Sequence, residues 1–184
     1  QPVTVVDAAV SGGELTLDLC EELRRLAPFG LGNPGVTLLL PACELRDLGA
    51  VGEGRHLRFR VRDRDDDAGS AIAFGIGSQL DRFRRAGRYD VVFRLEANHW
   101  NGTVAPQLVV RRLFDSHERY EELREWLGGL WLAGQWRLDE AERSEEASTI
   151  FAELELQSRN GVRRQLLESE AFRALLDEPL ERAA

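Results

Sequence analysis

Four side chains at alternate positions, His56, Arg58, Arg60 and Arg62, carry the most concentrated chemistry in the sequence. Leu57, Phe59 and Val61 stand between them, so apolar and polar residues alternate cleanly. Residues on one face of a strand repeat about every 6.6 Å. A guanidinium row at that spacing suits the phosphates of an extended single strand, and a cationic groove of this kind holds nucleic acid without reading its sequence. The alternative is a solvated sheet face whose arginines pair with Asp63, Asp65 or Glu96. A second candidate is Asn98-His99-Trp100-Asn101-Gly102-Thr103. Trp100 can stack on a base, and Asn98 and Asn101 can bond to phosphates or bases. Asn-Gly is also the preferred centre of a tight hairpin, in which case Trp100 caps a barrel instead.

Other clusters read as structural. Gly30, Gly32 and Gly35 follow a predicted helix and precede a predicted strand, the reverse of a dinucleotide-binding context, so they form a linker stiffened by Pro28 and Pro34. Asp63, Asp65, Asp66 and Asp67 lack the spacing of a calcium loop and read as a hairpin. Cys20 and Cys43 lie in apolar surroundings as buried thiols, and His56, His99 and His117 show no metal spacing.

The 184 residues suffice for one compact domain with attached helices. All 24 cationic residues are Arg, and the formal net charge is −8. That charge is unevenly spread. Residues 29–115 carry 13 Arg against 11 acids, whereas residues 116–184 carry 9 Arg against 16 acids. An anionic ligand therefore prefers the middle of the chain. No window supplies the roughly 20 apolar residues of a membrane span. The start does not resemble a signal peptide, which makes the cytoplasm the expected compartment. Gln1 and the absence of Met point to a fragment of a longer chain.

The elements that must position these residues follow from periodicity. Val3–Val10 reads as a short strand and Glu14–Leu26 as a helix, with Leu15, Leu19, Leu23 and Leu26 on one face. Val36–Ala50 is a long strand bent near Pro41, His56–Asp63 the second, and Ser70–Gly75 the third, after a loop over residues 64–69. Ser78–Ala86 is helical; Tyr89–Ala97 and Val104–Phe114 complete the strands. Strand, strand, strand, helix, strand, strand is the order of a five-stranded oligonucleotide-binding (OB) Greek-key barrel. Beyond it, Glu118–Leu127, Glu140–Leu156 and Val162–Leu176 are expected helices, with Trp126, Trp131 and Trp136 as packing anchors. The fold class is mainly β with helical flanks: residues 1–35 a linker strand and helix, 36–115 the OB barrel, 116–184 an acidic helical extension.

One segment resembles a known family. Pro28-Phe29-Gly30-Leu31-Gly32-Asn33-Pro34 is similar to the PFGxGNP signature that joins the DHH-associated domain of RecJ exonucleases to their OB domain. Arg55-His56-Leu57-Arg58, Ala71-Ile72-Ala73-Phe74-Gly75, Tyr89-Asp90-Val91-Val92-Phe93, Asn98-His99-Trp100-Asn101-Gly102 and Gln107-Leu108-Val109-Val110 follow in the same order. The family commonly continues with Glu-Pro where this chain has Gly35-Val36, and the catalytic DHH motifs are absent. The resemblance implies a parent enzyme that uses Mn2+ or Mg2+ to degrade single-stranded DNA from 5′ to 3′, with DHH catalytic domains upstream. This chain itself holds no expected catalytic residue, metal or cofactor. Its expected nucleic-acid contacts are Arg55, His56, Arg58, Arg60, Arg94, Asn98, Trp100 and Arg111. Single-stranded DNA is the expected partner, with single-strand-binding protein a further one. The competing reading is a structural or protein-interaction OB module that recruits a partner without touching DNA.

Overall fold

A computed structural model describes residues 4–32, 34–121, 156–158 and 162–177. The expected helices over residues 122–155, with Trp126, Trp131 and Trp136, lie outside the described residues. The chain opens with two short strands, β1 (Thr4–Val6) and β2 (Ala8–Ala9), and a 3-10 turn at Gly12–Glu14. Helix α1 (Leu17–Arg24) follows, shorter than its leucine pattern suggests. The Thr16 side chain caps it, accepting from the Leu19 N–H at 3.2 Å.

Five strands then close a barrel. They are β3 (Leu38–Val51), β4 (His56–Asp63), β5 (Asp66–Ala73), β6 (Tyr89–Trp100) and β7 (Thr103–Asp115). A 3-10 turn at Gly77–Gln79 and the single-turn α2 (Leu80–Phe83) stand where the sequence pattern predicts a longer helix. The hydrogen-bonded order is β3-β4-β5-β7-β6, and β6 returns to β3. Closure depends on β3 serving two neighbours. Leu38–Cys43 pairs with β6 and Glu44–Val51 with β4, with one register shift inside each half. Ala42 and Asp47 adopt φ of 53° and 52° in those shifts, which bend the strand. With β5 and β7 parallel and the other pairs antiparallel, this is the OB arrangement.

Two hairpins are tighter than polar composition suggests. The β4–β5 turn is only Arg64-Asp65, so Asp66 and Asp67 belong to β5 and not to a loop. The β6–β7 turn is only Asn101-Gly102, with φ of 47° and 74°, the signature of a type I′ hairpin. Asn98, His99 and Trp100 therefore lie on β6.

The barrel interior holds Leu57, Phe59 and Val61 of β4 beside Leu38, Leu40, Val91, Phe93 and Leu108, all buried. Each such side chain contributes about 1.5–3 kcal/mol by leaving water. Surface ion pairs contribute roughly 0–1 kcal/mol. The apolar face therefore fixes β4, and its arginines take the outside as a consequence. A second core covers the outer side of β3 and β6. Leu39 and Val92 meet Tyr120, Leu166, Leu167, Phe172 and Leu175. Those residues come from the end of α3 (Ser116–Arg119) and from α4 (Val162–Glu168) and α5 (Glu170–Asp177). The expected helix over Val162–Leu176 is thus two helices, broken at Ser169, whose Oγ accepts from the Phe172 N–H at 3.3 Å. Leu156, expected to end a helix, instead starts β8 (Leu156–Ser158), which pairs with β1. No helix among the described residues is long and apolar enough to cross a membrane.

Candidate nucleic-acid interface

Among the described residues, α4 and α5 cover the outer side of β3 and β6 around Leu39 and Val92, and the outward arginines of β4 stay exposed. Register aligns the outer face in rows. One row reads Gly49, Arg58, Ile72, Val109, Arg94, and the next Arg46, Arg60, Ser70, Gln107, Glu96. Arg58, Arg60 and Arg62 are exposed, as their alternation with buried neighbours dictates.

Their surroundings differ. Arg58 has no ion-pair partner among the described residues. Arg60 donates to Asp67 Oδ2 through Nε at 3.0 Å and through Nη2. Arg62 donates to the Arg64 carbonyl at 2.8 Å. The alternative partners expected from sequence are Asp63, Asp65 or Glu96; Arg60 is ion-paired, but to Asp67, and Arg58 is not paired among the described residues.

A ring and two basic groups end the row. His56 Nδ1 accepts the Gly75 N–H at 3.1 Å, so the neutral ring carries its hydrogen on Nε2. The imidazole meets Phe74 edge to face, with centroids 5.1 Å apart. Phe74 is 60% exposed. Sequence reasoning passed over it, although Ala71 and Ala73 facing inward fix its outward parity. Arg111 is exposed and stands one step beyond the Ala73–Val110 pair, on the Phe74 side. Arg55 belongs to the β3–β4 turn, where its Nε donates to the Gly52 carbonyl at 3.1 Å. That turn is pinned by the Gly77 N–H, which donates to the Arg55 carbonyl at 3.0 Å. A Cβ on Gly77 would lie 1.9 Å from the Gly54 carbonyl oxygen, so only glycine permits the approach.

Trp100 and Asn98 occupy the far corner. Both point to the outer side of β6, and Trp100 is 72% exposed. Trp100 pairs with Thr103, four residues before Gln107 in the Arg60 row, and β6 is three strands from β4. Followed along the curved sheet through β5 and β7, that is a path of roughly 19 Å from Arg60. The span is compatible with the 4–16 nucleotides an OB barrel engages.

Arg94 is not brought onto this face. The linker crosses it, and a Cβ on Gly35 would stand 3.2 Å from its Cζ. Its Nε is buried without a hydrogen-bond partner among the described residues. Arg46 was missed and takes its place. It is exposed and paired directly with Arg60 across the β3–β4 ladder.

The acidic residues have structural duties. Asp63 is buried and accepts from the Gly12 N–H at 2.7 Å. Desolvation, reinforced by Asp66 and Glu170, pushes its carboxyl above the ordinary range against the pull of that hydrogen bond. Asp90 is fully buried and accepts from the Ala42 N–H at 3.0 Å, the Ser116 hydroxyl at 2.6 Å and the Tyr120 hydroxyl. Among the described residues no group of three His, Cys, Asp or Glu is placed to hold a metal ion. Cys43 is fully buried, and desolvation raises its thiol well above the usual range, as an inert core group.

Comparison with known proteins adds an independent line. Residues 6–112 match the family described as the RecJ OB domain. The sequence is 25% identical over 124 residues to the single-stranded-DNA-specific exonuclease RecJ of Bacillus subtilis (strain 168), covering 67% of this chain and 16% of that protein. RecJ of Thermus thermophilus, solved in complex with Mn2+, is similar over 61% of this chain and 16% of its own, at 28% identity and a TM-score of 0.47. The SSB domain of a Synechococcus protein aligns over 42% of this chain and 91% of its own, at 16% identity and a TM-score of 0.30. The chain therefore spans only 16% of the length of the RecJ relatives it matches.

Proposed function

This chain belongs to the RecJ OB domain family, and from that premise we propose that its arginine-bearing barrel face holds single-stranded DNA for a catalytic part elsewhere in a longer polypeptide. The observation that carries the reading is Arg58. It is an exposed guanidinium without a counter-charge among the described residues, neighboured by the exposed Arg60 and Arg62 on β4 and by the exposed Arg46 across the β3–β4 ladder. Phosphates track this cationic row, and exposed rings at its margins, Phe74 and Trp100, offer stacking platforms. Arg55, His56 and Arg111 extend the contact at one end and Asn98 at the other.

No cleavage step is assigned to these residues. The B. subtilis relative is named a single-stranded-DNA-specific exonuclease. In our reading this chain contributes strand holding to such an activity, with metal-dependent 5′ to 3′ hydrolysis and DHH motifs supplied by the upstream part of the polypeptide, in the cytoplasm. A second reading, a partner-docking module, is favoured by one observation. Leu26, Phe29 and Leu31, on the segment after α1, are exposed to 53%, 45% and 109%. Single-strand-binding protein is the partner to try in a pull-down.

The test is a titration of the whole chain with labelled oligothymidylate about six nucleotides long, over a range of salt. Four phosphate contacts on a single strand give a log–log salt slope of about −2.8. Arg58→Ala with Arg60→Ala halves that slope and weakens all sequences alike. Trp100→Ala removes a stack of about 1–3 kcal/mol without changing the slope. Absence of salt-sensitive binding at low ionic strength refutes strand holding and leaves the docking reading.

A further inference from the structure

The cationic row does not stop at β4. Arg46, its continuation on β3, also lines a concavity of about 430 Å³ with Arg84, Arg85, Arg88 and His117. The floor is Glu44, whose Oε1 accepts from Arg88 at 2.9 Å and whose Oε2 accepts from Arg46 at 3.1 Å. The Arg46 hydrogen bond, aided by the Arg88 charge, holds the Glu44 carboxyl below the usual carboxylate range against its partial desolvation. An ionised Glu44 is thus saturated. It acts as a peg that holds two guanidinium groups, 42 residues apart in sequence, side by side.

The rest of the rim is under-neutralised. Arg84 reaches Asp81 at 3.6 Å, but Asp81 is 95% exposed and the pair is screened by water. Arg85 has no ion-pair partner among the described residues. Among the described lining residues, four guanidinium groups surround the carboxylate of Glu44, with Asp81 reaching Arg84 from outside the hollow, on a protein of formal charge −8. Like charges held together repel, and a bound anion removes that repulsion. On the other side of Glu44 a second hollow is lined by Arg46, Arg62, Arg64 and Arg88, with Asp65 among them. The two share Glu44, Arg46 and Arg88, so basic side chains extend from Arg62 on β4, across Arg46, to the turn between α2 and β6.

The opposite exit is closed electrostatically. Beside the β4–β5 hairpin, Glu14, Asp63, Asp65, Asp66, Glu168 and Glu170 line a hollow in which Arg64 is the one basic side chain among the described residues. A polyanion leaving the Arg60 row is repelled there and attracted over β3.

We propose that the hollow formed by Arg46, Arg84, Arg85 and Arg88 is a second phosphate-binding site, over which the same DNA single strand continues after crossing β4. The inference rests on the strand-holding reading and extends its path to a part of the barrel outside the β4–β5 face. Arg84 and Arg85 are the contacts free to engage; Arg88 and Glu44 position Arg46.

The experiment compares oligothymidylates of about six and about fifteen nucleotides on the whole chain, with three double variants. Arg84→Ala with Arg85→Ala leaves the hexamer unchanged. For the 15-mer it flattens the salt slope by about 1.4, so the affinity loss between about 50 and 200 mM salt shrinks roughly seven-fold. Arg58→Ala with Arg60→Ala weakens both lengths. Arg24→Ala with Arg25→Ala, equal in charge but on and beside α1, changes neither. If the Arg84/Arg85 variant binds the 15-mer as the parent does while the Arg58/Arg60 variant is weakened, the second site is refuted and strand holding survives. If the Arg58/Arg60 variant is unchanged at both lengths, strand holding falls, and the second site as a continuation of that path falls with it. A loss in the Arg24/Arg25 variant equal to that in Arg84/Arg85 reduces the effect to net charge and overturns the site.

Discussion

Replacing Asp67 by Asn should tighten DNA binding, although it removes an ion pair. Asp67 stands at a bulge in β5. Val61 pairs with Gly69 and Arg62 with Asp67, which leaves Ala68 as the extra residue, and Gly69 adopts φ of 115°. The bulge lets Asp67 Oδ1 accept the Gly69 N–H at 3.0 Å while Oδ2 takes the Arg60 guanidinium. Partial burial opposes ionisation, but these hydrogen bonds outweigh it and the carboxyl lies below the usual range. In Asp67→Asn the Oδ1 acceptor remains, so the bulge stays intact and only Arg60 is released. The Arg60 and Asp67 side chains are 49% and 55% exposed, so their pair belongs to the screened class worth about 0.2–1 kcal/mol. A phosphate that binds Arg60 must first displace Asp67, and the variant removes that cost. Affinity should rise about 1.4- to 5-fold, with the log–log salt slope unchanged because Arg60 already counts among the phosphate contacts. Anisotropy titration of oligothymidylate at several salt concentrations reads both quantities. In the Arg60→Ala background, Asp67→Asn should add little through Arg60. Weaker binding, or tighter binding that persists in full without Arg60, would refute the argument.

Two further outcomes concern the frame that presents this face. Tyr120→Phe removes one charge-assisted hydrogen bond from buried Asp90 while keeping the ring packed edge to face on Phe172, 4.9 Å away. The expected loss is about 1.5–3 kcal/mol in urea unfolding; a change below about 0.5 kcal/mol would show that Asp90 is satisfied by its other donors. Asp63 carries a pH signature. Its folded pKa is raised above the ordinary 3.8, chiefly by desolvation, so the folded state binds the proton more tightly than the unfolded chain. Its contribution is therefore fully present below 3.8 and declines as pH rises through the raised folded value. Relative to Asp63→Asn, which can still accept the Gly12 N–H, the parent chain should lose stability over that window and run parallel above it. A constant difference from about pH 3 to 7 would contradict the burial argument.

How much of this was legible in the sequence depended on whether one strand or several decide a residue's surroundings. The outward placement of Arg58, Arg60 and Arg62 followed from alternation alone, because three apolar neighbours fix β4 by burial. The hairpin ends did not follow. Asn98, His99, Trp100, Asp66 and Asp67 are polar or bulky and look like loop, but the type I′ geometry at Asn101-Gly102 and the two-residue turn at Arg64-Asp65 carry the ladders through them. Arg46 was hidden for a related reason. The register shifts of β3 around Ala42 and Asp47 break the alternation that would have marked it as outward-facing.

Arg94 shows the limit of parity most directly. It shares a row with Arg58 and Val109, and by periodicity it belongs on the same outer face. What removes it is the linker segment around Gly35, which packs over it from more than fifty residues away. The same logic decides which side of the barrel can receive a ligand at all. Leu39 and Val92 also point outward, yet both are fully buried because Leu166, Phe172 and their neighbours cover them. Each buried leucine or phenylalanine of that layer outweighs a surface ion pair several-fold, so the helices settle on the apolar outer side of β3 and β6. Among the described residues, Arg58 and Arg60 stay exposed on a side that offers little apolar surface to bury. The exposed cationic row is thus a consequence of where the second core forms, and the charges gain their accessibility from hydrophobic packing on the far side of the barrel.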